Sequence, residues 1–306
     1  MARAMSPAIH SAGQRATEAI QGWWFPPLPL GRVAALRVII YLFVWIDVFI
    51  YSPGVAGDAD IASSYKPLAV DRVLHLPVPT HGLILAVKVA LLCCATVAAT
   101  GKAPRLLGTV TFGLYFYWLV IGDSFGYVPH DRFAFIVALA VLPTVGPARG
   151  GERATSPRAG WALRCIQVAV VATYALAPWA KFRFGGFDWA DSGVLTWALL
   201  RRGTSIGTPL LGAPGLLHVA QWCMICAELS SPIVLFLRGR MLYVAVAAMV
   251  SFHLVSEATI SISFLPHVLC IAAFLPVERL DATGARDRLM TLLRSATVKM
   301  ARGRQA

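Results

Sequence analysis

A chain of 306 residues that is 58% hydrophobic and 14% charged, with a mean hydropathy of +0.67, is neither an ordinary water-soluble domain nor a disordered polymer. Its formal net charge of +12 raises nucleic acid as a partner, but the basic residues follow a topological pattern and leave no separate patch for a polyanion. Membrane lipids are the expected partners, their anionic headgroups facing the basic loops.

In chain order, residues 1–21 lack a continuous apolar run, so no cleavable signal peptide is expected and the first span acts as the insertion signal. Segment 17–25 ends in Trp23, Trp24 and Phe25 and reads as an interfacial helix. Apolar runs of about 20 residues are long enough to cross a bilayer. Eight such helices are predicted. The first, 33–52, carries Arg37 and Asp47, and is followed by a mixed loop, 52–79, with Asp58, Asp60 and Asp71. The next two run over 80–100, which contains Lys88, and 106–122. His130 opens the fourth, and a Gly-, Arg- and Pro-rich loop spans 146–160. The fifth, 161–181, ends at Lys181. Segment 191–202 starts with Asp191 and Ser192 and ends in two arginines, the pattern of a short amphipathic helix lying along the membrane. The last three spans cover 213–237, 241–257 and 260–276. The fold class is therefore all-α, a polytopic transmembrane bundle with short interfacial helices. Its parts are an N-terminal segment 1–30, a transmembrane domain 31–277 and a basic tail 278–306.

Alternating the loops between two sides places Arg3, Arg15, Arg32, Lys102, Arg105 and Arg149 together with the basic residues of 153–164, 238–240 and the tail. That puts eighteen of the 27 basic residues on one side. The positive-inside rule assigns that side, and both termini, to the cytoplasm of a cell (plasma) membrane protein. His130, Lys181, His253 and Glu257 then gather toward the outer surface.

Charged groups within a span cost a few kcal/mol or more and require a reason. Arg37 can snorkel to the cytoplasmic end and Asp47 can reach water at the other. Lys88 and Glu228 lie deeper; they either pair, with each other or with Asp47, or Glu228 faces a wet cavity with the site residues. Lys181, between Trp179 and Phe182, is either a snorkelling interfacial lysine or a poorly hydrated amine able to act as a base. His130 could hydrogen-bond to it or simply end its helix. His253 and Glu257 share a helical face as half of a metal site, but no third ligand stands at fixed spacing and no metal is expected. The six cysteines read as small buried hydrophobes, Cys223 and Cys226 included.

These residues resemble a known family. Tyr-Ala-Leu-Ala-Pro-Trp-Ala-Lys over 174–181, followed by Phe187, Asp188, Trp189 and Gly193, is similar to the Y-x-x-A-G-x-x-K-L … W-x-x-G segment of the horizontally transferred transmembrane domain (HTTM) family. Vitamin K-dependent gamma-carboxylase is related to that family. Pro129-His130-Asp131, Ala227-Glu228-Leu229-Ser230 and Phe252-His253 match further segments in the same order, so the likeness spans roughly 30–277. The chain departs from the pattern in places: Ala180 stands where the carboxylase has a second lysine, and Arg-Phe-Gly-Gly over 183–186 lengthens the following turn. The resemblance implies that Lys181 is a base that deprotonates a reduced quinone, that His130 assists it, and that Glu228 and His253 support them. With Glu257 and Trp179 from the residue reading, these six form the candidate site. The reduced quinone is the candidate lipid-soluble substrate or cofactor. The alternative is a non-catalytic scaffold, an accessory to maturation or export, or a hydrophobic-ligand-binding protein, in which Lys181 and Glu228 close a buried ion pair or snorkel.

Overall fold

Prolines and short polar side chains set where the helices begin. Thr80 Oγ1 accepts the backbone N–H of Leu83 at 3.3 Å, and Ser156 Oγ accepts that of Arg158 at 3.2 Å. Pro104, Pro157 and Pro214 each open a helix at a position whose N–H has no helical partner. The result is all-α. The computed structural model describes residues 7–126 and 128–279.

Helix α1 (Pro7–Trp24) leads into a two-residue strand, Leu28–Pro29, paired antiparallel with Thr155–Ser156. Helix α2 (Leu30–Ile46) continues as a wider π turn, Asp47–Tyr51. A 3-10 stretch (Pro53–Ser64) and α3 (Ala69–Leu74) fill the following loop. Then come α4 (His81–Ala99), α5 (Pro104–Asp123), a 3-10 turn at His130–Arg132, α6 (Phe133–Val141) and α7 (Pro157–Gly185). A short turn, Phe187–Asp191, precedes α8 (Val194–Arg202). Helix α9 (Pro214–Ser230) runs on as a 3-10 turn to Phe236, and α10 (Gly239–Ile260) and α11 (Leu265–Ile271) complete the described residues.

Among these residues, six helices are long and apolar enough to cross a membrane: α2 with its π turn, α4, α5, α7, α9 with its extension, and α10. The other two expected spans are shorter. The fourth gives way at Leu142 to a 3-10 turn containing Pro143, which has no N–H to continue α6. The eighth starts late because Ser261, at φ +50°, ends α10 in the left-handed region and residues 261–264 are irregular. Asp191 and Ser192 do not cap α8 either: Gly193 does, and Asp191 accepts from Trp222 Nε1 at 2.9 Å. The expected tail lies, from residue 280 onward, outside the described residues.

Helix α7 is central, packed on α6, α9 and α11. Its start approaches the chain so closely that a Cβ on Gly160 would run into the carbonyl oxygen of Pro26. The expected cytoplasmic loops also meet: Arg32, Arg164 and Arg238 line one small cavity, Lys102 and Arg149 another, and Arg105 lies against Gly146.

Four readings of charged or polar groups are corrected here. Asp47 does not reach water; it is fully buried and accepts from Arg132 Nε at 3.1 Å, Tyr115 Oη at 3.2 Å and Ser52 Oγ at 3.1 Å. Arg37 does not snorkel, being 2% exposed with Nη2 on the Leu142 carbonyl at 2.6 Å. Lys88 pairs with neither Asp47 nor Glu228; its ammonium lies 4.5 Å from the centre of the Phe49 ring. Only Cys270 of the six free cysteines is buried, while Cys93, Cys223 and Cys226 are on the helix exterior.

Candidate functional site

One helical turn of α7 lies beyond Lys181, because the helix continues until Gly186 adopts φ +77°. This extra turn sets Lys181 in the wall of a cavity of about 820 Å³ rather than at a free helix end. Helices α7, α8, α9 and α10, residues 128–136 and Phe264 enclose it. The size falls within the range of pockets that bury a drug-sized ligand. Most of the lining is apolar. Its polar groups are therefore informative.

Lys181 Nζ donates to Glu228 Oε1 at 2.5 Å and also to Oε2, so α7 and α9 are joined by a two-point ion pair. The ammonium also faces the Trp189 ring, 5.0 Å from its centre, a cation–π arrangement. Trp189 is held there by Gln221 of α9. The buried Gln221 amide donates to the carbonyls of Trp189 (2.7 Å), Ala190 (2.9 Å) and Ser192 (3.0 Å) and accepts from the Leu195 N–H at 3.1 Å. A single side chain thus fixes the turn that covers the amine.

A second polar group faces the same space. Tyr174 Oη and His253 Nε2 share a hydrogen bond of 2.5 Å, and His267 packs its ring 4.9 Å from that of Tyr174 and 5.3 Å from that of His253. His253 Nδ1 and both ring nitrogens of His267 are buried without a partner. A neutral imidazole has one donor and one acceptor, so such nitrogens call for a ligand or water. Tyr174 lies one turn before Pro178, which has no N–H to pair the Tyr174 carbonyl.

The six expected site residues therefore divide. Lys181, Glu228, His253 and His130 all line the cavity, although they come from four separate segments. His130 stands at its exposed rim beside the Phe264 ring, 5.6 Å away, and makes no hydrogen bond to Lys181; the amine's partner is Glu228 instead. Trp179 is 61% exposed on the outside of α7, because it stands two residues before Lys181, roughly 200° around the helix from it; Trp189 takes the role expected of it. Glu257 is exposed and does not line the cavity, while His253 turns inward toward Tyr174, so these two do not converge. Gln221 and His267 were not singled out in the sequence. A lone glutamine or histidine in an apolar helix becomes informative only once its neighbours are known, although His267 directly follows a helix-opening proline.

The fold is thus a bundle of apolar helices around a mostly apolar cavity with a few polar groups in its wall. Its spans are compatible with an integral membrane protein. Comparison with protein families, curated proteins and solved structures finds no match to any of them.

Proposed function

We propose that this chain is an integral membrane protein that takes a lipid-soluble amphiphile into the 820 Å³ cavity and moves a proton on its polar head with the Lys181–Glu228 pair. The observation that carries this reading is the joint placement of an ion pair, a tyrosine–histidine hydrogen bond and unpartnered imidazole nitrogens in the wall of one mostly apolar cavity. A ligand with an apolar body suits the lining, and one with hydroxyl or carbonyl groups suits that wall. A reduced quinone meets both demands.

The proton steps balance within the pair. Transfer of one proton from the Lys181 ammonium to the Glu228 carboxylate leaves a neutral amine and a carboxylic acid. In a low-dielectric site, separated charge is less favoured than in water, so this exchange is cheaper than at a surface. The amine then accepts the proton of a ligand hydroxyl, and the resulting ammonium stabilises the oxyanion beside it. Tyr174 and His253 can hydrogen-bond the opposite end of the head group. His130, at the rim, borders the ligand's path rather than the proton transfer.

The meeting of four separately matched segments at one cavity supports kinship with the HTTM family and the membrane core of gamma-carboxylase. The clustering of the basic loops supports an orientation with both termini in the cytoplasm and the cavity toward the outer leaflet of the plasma membrane. One observation favours the second reading, a binding or scaffold protein without catalysis: Glu228 satisfies Lys181 without any ligand.

Solvent extraction and mass spectrometry of the detergent-purified protein separate these readings. The expected result is a stoichiometric amphiphile carrying ring hydroxyl or carbonyl groups, and added reduced quinone should show the absorbance of its phenolate anion when bound to the wild type but bind without it in Lys181→Ala. Equal ionisation of the bound quinol by both proteins would reject the proton-transfer role. A folded wild type that retains no amphiphile would reject the binding role as well.

A further inference from the structure

A second cavity, about 310 Å³, lies away from the candidate site, between the start of α2 and the loops at residues 99–102 and 148–150. Three of its lining side chains are cationic, Arg37, Lys102 and Arg149, and no lining residue is acidic. Arg37 is the unusual member. It is 2% exposed, uses Nη2 on the Leu142 carbonyl, and leaves Nε and Nη1 with no hydrogen-bond partner. No carboxylate forms an ion pair with it among the described residues. Glu152, the acidic residue of the neighbouring loop, accepts instead from the Arg149 backbone N–H at 2.9 Å.

A guanidinium withdrawn from water in this way is unfavourable unless an opposite charge compensates it. Most buried polar groups have partners, so orphaned guanidinium nitrogens beside a cavity indicate that something binds there. Lys102 and Arg149 are exposed at the mouth, where they would meet the same anion from the solvent side. Arginine's planar, forked donors match the oxygens of a phosphate group. Glycine at 101 and 150 leaves the mouth without bulky side chains at those positions.

We propose that this cavity binds an anionic phosphate group, neutralising the buried charge of Arg37 from below and held by Lys102 and Arg149 from above. The phosphate can belong to an anionic lipid headgroup or to a free anion. The site is independent of the candidate catalytic wall.

The test uses the purified full chain in nonionic detergent and phosphate-free buffer. One arm adds phosphatidylglycerol, with a phosphate-free galactolipid of the same acyl chains as its control. The other adds inorganic phosphate, with chloride at equal ionic strength as its control. Native mass spectrometry reads bound lipid, and the thermal midpoint reads either ligand. The expected result is saturable binding in at least one arm, weakened about tenfold or more in Lys102→Gln/Arg149→Gln, whose substituted residues are exposed and leave the bundle intact. Binding of phosphatidylglycerol alone identifies a headgroup site, and stabilisation by inorganic phosphate identifies a free-anion site; both support the proposal. Arg37→Gln should also abolish binding where size-exclusion shows it folded. No preference over the controls in either arm, or unchanged binding by the double variant, would overturn it.

Discussion

At the scale of single residues, the candidate site is a set of pairings that span long stretches of chain. Lys181 and Glu228 are 47 positions apart, and Asp47 and Arg132 are 85 apart. Lys181, Glu228 and Asp47 were visible in the sequence as exceptions within apolar runs, but Arg132, the partner of Asp47, was not. Periodicity says which face of a helix is polar; packing decides which other helix that face meets. Hence Lys88 was expected near a carboxylate and lies on Phe49 instead. The Lys181–Glu228 pair is testable by a double-mutant cycle. Lys181→Met or Glu228→Gln alone leaves one charge largely buried, and each should lower stability by about 3 kcal/mol, measured by equilibrium unfolding in mixed SDS–detergent micelles. The double variant should lose less than the sum of the two. Strict additivity would show that the pair does not act as a unit.

A pH effect belongs to another pair. Arg32 Nε and Nη2 each donate to Glu278 at 2.8 Å. Burial pushes the Glu278 carboxyl up, but the hydrogen bonds and charge of Arg32 outweigh it and hold the group below its ordinary value of 4.5. With the folded-state value depressed, the stabilisation is fully present above pH 4.5 and is lost as pH falls through the folded-state value. Glu278→Gln should flatten that acid-side loss in the thermal midpoint of the detergent-solubilised protein while leaving the neutral-pH profile shape unchanged. An unaltered acid limb would show that other carboxylates govern it.

At the scale of elements, the apolar runs located most helix starts to within a few residues, whereas ends and lengths depended on backbone strain and neighbours. The fifth span was expected to stop at Lys181, and it proceeds to Gly185 because left-handed Gly186 ends it. The fourth and eighth were expected at full length, and Pro143 and the left-handed Ser261 shorten them. Close packing makes a prediction about α7. Gly160→Ala should be destabilising by about 1–3 kcal/mol, since the new methyl collides with backbone that cannot easily move. Gly113→Ala, in a span where a Cβ meets nothing within 4 Å, should be neutral or slightly stabilising. The same unfolding measurement compares them, and equal effects would place the tight approach elsewhere.

At the scale of the whole molecule, the bundle was readable from hydropathy alone, because apolar runs of span length have few alternatives to a helix in lipid. The cavity was not, since its wall is assembled from segments that no periodic pattern connects. The charge asymmetry predicts how the bundle sits across the bilayer. In a background lacking the six native cysteines, Asp58→Cys should react with a membrane-impermeant maleimide on intact cells, and Arg153→Cys only after permeabilisation. The reverse pattern would invert the proposed orientation.

Helix α9 carries both the acid that meets Lys181 and the amide that pins the turn bearing Trp189. Counterion and aromatic roof are therefore mounted on a single rigid rod. Any sliding of that rod relative to α7 must displace both together, so the amine's electrostatic surroundings change in one concerted step instead of by graded loss of separate neighbours.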